Sequence, residues 1–226
     1  MKKFLLALMG IALMAGSVCA QPHHKMRAKH ENLYGKTYHH FSASLSPITV
    51  KTAMDLDSYY DDDAVDLDMN GVSLGWTMGI RMMESQPLYM EVGADVMYAF
   101  SRMGTTDVNE MNLDYLSVNV PVVLTWQVEV VPKVCIAPYL GLNLRGNVMG
   151  AADVVEYDTY YGDESMSIDW FDKDEGDGNR FNVGLTFGAN FTFNKFVLGL
   201  GYTKDVTCLM SQTKIEYFTL SAGVRF

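Results

Sequence analysis

From Tyr38 to the last residue, apolar and polar positions alternate with a period of two, and helical periodicity is nearly absent. In 88–100, Leu88, Met90, Val92, Ala94, Val96, Tyr98 and Phe100 share one face, and Tyr89, Glu91, Gly93, Asp95, Met97 and Ala99 share the other. In 181–193 every second residue from Phe181 to Phe193 is apolar, and the intervening positions are Asn, Gly and Thr. Clean alternation over ten or more residues exceeds the five or six usual in soluble sheets. It matches a tilted strand crossing a bilayer, which needs about 9–11 residues. Eight such segments are predicted, at 38–47, 70–83, 87–101, 112–129, 132–147, 179–193, 195–206 and 214–226.

The connections carry a second pattern. Glu84-Ser85-Gln86, Val130-Val131 and Asn194 are predicted as short turns, whereas 48–69 and 149–178 are predicted as long loops. Alternating short and long connections, with an even strand number, predict an eight-stranded antiparallel up-and-down transmembrane β-barrel. Both termini then lie on the periplasmic side and the long loops outside. The polar face is Gly, Ser, Thr and Asn with a few charges, which suits a narrow interior, so the apolar face is expected to meet lipid. Trp126, Phe193, Phe196 and Phe226 are placed for one aromatic girdle, and Tyr98 and Phe100 for the other. A soluble lipocalin-like carrier would instead turn the apolar face inward.

Composition narrows the picture. The 226 residues are 49% hydrophobic and 12% aromatic, which excludes a disordered acidic chain. Past residue 20 no apolar run approaches the ~18–20 residues of a spanning helix. Lys2 and Lys3, the apolar Phe4–Ala15 stretch and Val18-Cys19-Ala20 read as an export signal over 1–20. Removing it leaves 15 basic against 27 acidic residues, so a nucleic-acid partner is not expected. Residues 21–37 form a His-rich basic periplasmic arm, and 38–226 the barrel domain. Cys135 and Cys208, the cysteines left after cleavage, are expected at opposite ends of the barrel, too far apart to bond.

Four segments resemble the Bacteroidota outer-membrane β-barrel proteins grouped as porin-like or PorT-like: LDYLSVNVPVVLTW (113–126), PKVCIAPYLGLNLRGNVMG (132–150), NRFNVGLTFGANFTFNKFVLGLGYTKDV (179–206) and YFTLSAGVRF (217–226). The pattern is carried by Tyr115-Leu116 with Pro121, Pro138-Tyr139 with Gly141, Gly184 and Gly188, and Gly223 with Phe226. The resemblance implies an eight-stranded barrel and leaves the activity open. In Phe218, Leu220, Ala222, Val224 and Phe226 every second residue is apolar and the chain stops on Phe, as in the terminal signal read by barrel-assembly machinery.

Candidate chemistry is sparse. Every histidine precedes residue 41 (His23, His24, His30, His39, His40), which argues against a catalytic base at the outer rim and, without acid or thiol partners at ligand spacing, against a metal site. Residues 48–69 hold seven Asp and 149–178 hold ten Asp or Glu, so weak divalent-cation binding by clustered carboxylates is one expectation. Asp66-Leu67-Asp68-Met69-Asn70-Gly71 matches half a calcium loop, but the twelfth position is Thr77; 172–178 is similarly incomplete. Strand parity turns Arg81, Glu91, Asp95, Arg145 and Arg225 inward as a lumen charge network, with Arg81 expected to face Glu91 or Asp95, and Arg145 to need loop acids or water. No catalytic residue and no cofactor is predicted. The expected role is structural or interactive, with outer-membrane lipid and the assembly machinery as partners and a small-solute porin as the alternative.

Overall fold

The computed structural model describes residues 36–52, 65–83, 86–104, 109–156, 164–172, 178–210 and 213–226. The signal segment, most of the His-rich arm and the acidic stretch 173–177 lie outside them. The described residues form ten strands: β1 (Thr37–Thr52), β2 (Val65–Arg81), β3 (Leu88–Gly104), β4 (Asn109–Trp126), β5 (Val128–Val131), β6 (Val134–Glu156), β7 (Glu164–Asp169), β8 (Phe181–Phe193), β9 (Phe196–Asp205) and β10 (Thr213–Arg225). Eight of them close a single antiparallel ring in the order β1-β2-β3-β4-β6-β8-β9-β10, and the seam joins His40 to Arg225 and Thr52 to Thr213. Lipid offers no hydrogen bonds, so only a sheet without edges can leave its outer surface bare of water. The two extra strands are accessories on β6: β5 pairs with its start and β7 with its far end.

One end of the barrel carries both ends of the ring and the tight turns, and is called the turn end here; the other is the loop end. The turn after β5 falls at Pro132-Lys133, with Lys133 at φ 73°, rather than at Val130-Val131, because Val131 still pairs with Val134 of β6 and Val130 is the bulged residue before it. The β8–β9 turn is Asn194-Lys195, where Asn194 adopts φ 56°, a left-handed conformation that asparagine tolerates well.

The strands run further towards the loop end than the hydrophobic alternation indicates. Residues 48–52, 65–69, 149–156 and 164–169 were expected in loops, yet all are strand. The alternation persists there with its sense inverted. Along the middle of the barrel the outward residues are apolar, including Phe41, Leu45, Leu74, Val96, Leu140, Leu142, Phe187, Leu198 and Phe218, all more than a third exposed. Beyond them the outward positions become Lys51, Asp68, Arg102, Asp114, Asp153, Lys204 and Glu216, while Ile48, Val50, Met69, Leu113 and Ile215 turn inward and are buried. The strands that pass this boundary therefore read as membrane strands below it and soluble-barrel strands above. A bulge at Val148 leaves Val148 and Met149 both outward and lets Asn147 and Gly150 both face in.

The inverted segment encloses an apolar core, into which the chain after β7 folds back. Trp170 and Phe171 are 8% and 6% exposed and pack with Tyr115, Leu209 and Ile215. Trp170 donates its amide to Gly150 O (2.8 Å), and Asp169 Oδ1 accepts the Phe171 amide (2.9 Å). Gly150 is required by this close approach, since a Cβ there would lie 2.5 Å from the indole. At the turn end Gly79 plays the same part under Tyr38, whose ring occupies the space of the missing side chain.

Replacing Gly79 by Val forces Tyr38 off its seat and should destabilise the barrel by about 1–3 kcal/mol, the usual cost of overpacking. Gly146→Ala, whose added Cβ meets only Val118 O at 3.8 Å, should leave stability nearly unchanged. Urea unfolding in lipid vesicles, read as loss of the fast-migrating folded band, measures both.

Candidate functional site: a charged lumen

Small and polar residues on the inward face leave room for a few large side chains, and these gather in two layers. Towards the turn end, Tyr38 of β1, Tyr89 and Glu91 of β3 and Arg225 of β10 are all buried. The Tyr38 hydroxyl donates to Glu91, its ring lies 5.3 Å from that of Tyr89, and the Arg225 guanidinium carbon sits 4.2 Å over its centre. One tyrosine thus bridges a buried anion and a buried cation that belong to different strands.

The second layer centres on Arg145 of β6, whose side chain is fully buried. Nη1 donates to Asp205 Oδ2 at 2.9 Å and Nε to Asn119 Oδ1 at 3.1 Å, and the guanidinium lies 5.2 Å from the Tyr217 ring centre. Asn119 Nδ2 in turn donates to Asp95 Oδ1 at 2.7 Å, so the second carboxylate is tied to the arginine through an amide. Asn143 donates to both Asn119 Oδ1 and the Tyr217 hydroxyl at 3.1 Å. Above it, Tyr115 donates to Asn147, which donates to Asn182 Oδ1 at 2.6 Å. Glu91, Asp95, Arg145 and Asp205 each hydrogen-bond a neighbour on another strand, the condition under which buried charge is tolerated.

Between the layers lies a cavity of about 150 Å³ lined by residues of all eight ring strands. Its walls are largely hydroxyls and amides, among them Ser42, Ser44, Ser73, Thr203, Asn143 and Asn190, with His40, Glu91 and Asp95 at its margins. Ser44 and Ser73 share a 2.6 Å hydrogen bond, and Thr203 donates to Thr186 at 2.9 Å.

Of the inward charges predicted from parity, Glu91, Asp95, Arg145 and Arg225 lie in these two layers. Arg81 sits lower, at the turn-end rim, where Nε donates to Met83 O (2.9 Å) and Gln86 O (3.4 Å); Glu91 meets Tyr38 and Asp95 meets Asn119. Asp205, the partner of Arg145, is absent from the predicted lumen set although it lies in the predicted strand 195–206 and shares the inward parity of Gly201 and Thr203; its register with Gly184 keeps it in β9. The half-calcium-loop 66–71 lies within β2 as extended chain, with Met69 buried and Asp68 accepting the Thr49 hydroxyl at 3.0 Å, so it does not wrap an ion. Of the histidines, His39 stacks on Trp76 at the outer surface, and His40 is buried in the lumen opposite Arg225. Cys135 is buried towards the turn end, Cys208 lies at the loop end, and both thiols are free. The terminal residues Phe218, Leu220, Ala222, Val224 and Phe226 all project outward, and Phe226 stacks on Phe41 at 5.8 Å.

A closed ring of strands, an apolar outer belt and a polar lumen define a membrane-spanning β-barrel. The chain belongs to the outer membrane protein beta-barrel domain family, which it matches over residues 38–204, and its place is the outer membrane. No curated protein matches it. Among solved structures, Ail, the attachment invasion locus protein of Yersinia pestis, is 16% identical over 84% of this chain and 99% of its own, with a TM-score of 0.48. Neisserial surface protein A is 15% identical over 83% and 95%, with a TM-score of 0.39. The outer membrane enzyme PagL is 11% identical over 80% and 98%, with a TM-score of 0.38. At these identities the likeness concerns the fold. The apolar face lies outside, so the soluble-carrier reading is set aside.

Asp205→Ala strands the Arg145 guanidinium and should cost about 3–5 kcal/mol, the usual penalty for an orphaned buried charge. Arg102→Ala, which removes the exposed partner of Asp114, should cost under about 1 kcal/mol. Equilibrium unfolding of the two variants in the same lipid makes the comparison.

Proposed function

We propose that this protein is a structural or interaction barrel of the cell envelope whose lumen is closed to solutes and whose acidic loop end faces the outside. The observation that carries the reading is the occupancy of the lumen at two levels by Tyr38, Arg225 and Glu91 and by Arg145, Asp205 and Asn119, with Trp170 and Phe171 packed above. Eight strands enclose an interior just wide enough for side chains, whereas aqueous channels belong to larger barrels. The same economy supports a non-enzymatic role: of the described histidines, His39 faces outward and His40 lies in the lumen opposite Arg225.

In this reading the short turns and both termini are periplasmic, residues 1–20 direct export, and 21–37 form a basic periplasmic arm. The outward Phe226 supports recognition by the barrel-assembly machinery, and the segments quoted above support a place among the porin-like and PorT-like barrels of Bacteroidota. The acids of 48–69 and 149–178 give the loop end a surface for basic partners or for weak binding of divalent cations.

Planar-bilayer recording tests the lumen. The unmodified protein should give at most small, irregular conductance, and Arg145→Ala combined with Arg225→Ala should raise it. Large, steady openings of one size from the unmodified protein would establish the porin alternative. For orientation, an epitope inserted at Gly162, a position outside the described residues, should bind antibody on intact cells; binding only after the outer membrane is opened reverses the assignment.

A further inference from the structure

We propose that the cavity between the two charged layers is a binding site for one hydrated monovalent cation, held beside Asp95. The inward charges of the described residues decide the sign of the ligand. Within the lumen stand three carboxylates (Glu91, Asp95 and Asp205) and two guanidiniums (Arg145 and Arg225), while Arg81 and Glu129 offset each other at the turn-end rim. His40 is registered directly opposite Arg225, where a charged imidazole would set like charges face to face. With that ring neutral, these inward groups carry one negative charge more than they match.

The unmatched charge falls at the cavity. Arg145 is paired with Asp205 at 2.9 Å, and Asp95 reaches that guanidinium only through the Asn119 amide. Among the described residues neither Glu91 nor Asp95 forms an ion pair: Glu91 accepts from Tyr38, and Asp95 Oδ1 from Asn119. Both line the cavity. Asp95 is registered against Gly75, and its Oδ2 lies 3.5 Å from the place a Cβ on Gly75 would take, so the glycine leaves the carboxylate open to the cavity. His40 supplies an independent observation. It is 6% exposed, lines the same cavity, and its Nε2 meets no hydrogen-bond partner among the described residues. A buried polar atom left without a partner is costly. A water in the shell of a cation beside Asp95 meets that need.

The walls select the kind of ion. The Ser44–Ser73 and Thr203–Thr186 pairs each spend one hydrogen on the other hydroxyl and keep lone pairs for a cation. Hydroxyl and carboxylate oxygens suit a hard cation, and the two carboxylates repel an anion. No cage for a divalent or transition metal is built: among the described residues no three His, Cys, Asp or Glu side chains converge. Glu91 and Asp95 are four residues apart on β3, about 13 Å along the strand, so one ion does not bridge them. One carboxylate among hydroxyls, in a space of about 150 Å³, fits a sodium, potassium or ammonium ion with its water. The inference rests on the closed lumen, because in an open channel mobile ions match Asp95 without a site. An open channel shows itself as conductance, a missing site as unfolding that ignores the cation.

Urea unfolding in vesicles of neutral lipid tests the site, with potassium chloride exchanged for N-methylglucamine chloride, whose cation is too bulky for the cavity, at constant ionic strength. A ligand bound by the folded state alone raises the folding constant in proportion to its concentration once the site fills, so each tenfold rise in potassium should raise that constant up to roughly tenfold. Asp95→Asn, which removes the charge and keeps the shape, should abolish the dependence. Glu91→Gln, which balances the lumen from the other layer, should weaken it. Asp153→Asn, on the outer face at the loop end, should leave it intact, which separates the site from the acidic surface. Gel mobility of unboiled samples reports folding, and Glu91→Gln carries the comparison if Asp95→Asn does not fold. A folding constant that ignores potassium, or that responds equally in the folded lumen variants, would overturn the proposal. A response to pH in place of potassium would assign the balancing charge to a proton and overturn it as well.

Discussion

Every peptide group that crosses lipid must hydrogen-bond within the protein, and for a sheet this is possible only if the last strand finds the first. The β1–β10 seam is therefore the contact on which the rest depends. It sets the strand number, the strand number sets the width of the lumen, and the width decides which side chains can fill it. Gly79 beneath Tyr38 and Gly150 beneath Trp170 show how tightly the interior is fitted. The lumen charges follow as well. Arg225 belongs to β10, and closure brings it against Tyr38 of β1, almost the whole length of the chain away.

Closure also lets one strand serve two solvents. Along β10, Phe218, Leu220, Ala222, Val224 and Phe226 face lipid, but two residues before Phe218 the same face carries Glu216, and the opposite face changes from Thr219 and Ser221 to Tyr217 and Ile215. The transition from outward-apolar to outward-polar marks the upper edge of the belt on every strand long enough to cross it. At that edge Tyr98 stacks on Phe100 and reaches up to Asp114, and Tyr202 reaches up to Glu216. Tyrosine suits this level because its ring is apolar and its hydroxyl polar.

Much of this was legible from alternation alone. The eight ring strands, the lipid-facing set and the inward turn of Arg145 and Arg225 all follow from a period of two. What escaped was whatever depends on height or on inverted polarity. Ile48, Val50, Leu67 and Met69 alternate as regularly as the membrane segments, but the Asp and Lys between them resemble a loop when the reader expects an apolar outer face. Trp170-Phe171 is an apolar pair in an acidic run, a local signal for a segment that folds inward. Parity gave no height for Arg81: it stands opposite Tyr89 at the strand end, where turn carbonyls, rather than a carboxylate across the sheet, meet its Nε. Alternation within the predicted strand 195–206 already turns Asp205 inward; its pairing with Arg145, sixty residues away, comes only with the folded ring.

The inversion of polarity along each strand is the most direct consequence of this account. Nitroxide labels placed singly on outward positions of a variant lacking Cys135 and Cys208 would read it through relaxation by oxygen, which concentrates in lipid, and by a water-soluble nickel complex. Labels at Leu140, Leu198 and Leu220 should be oxygen-accessible, and labels at Asp114, Asp153 and Glu216, on the same outward face, nickel-accessible. Nickel access at Leu140 and Leu198, or oxygen access at Asp153 and Glu216, would contradict it.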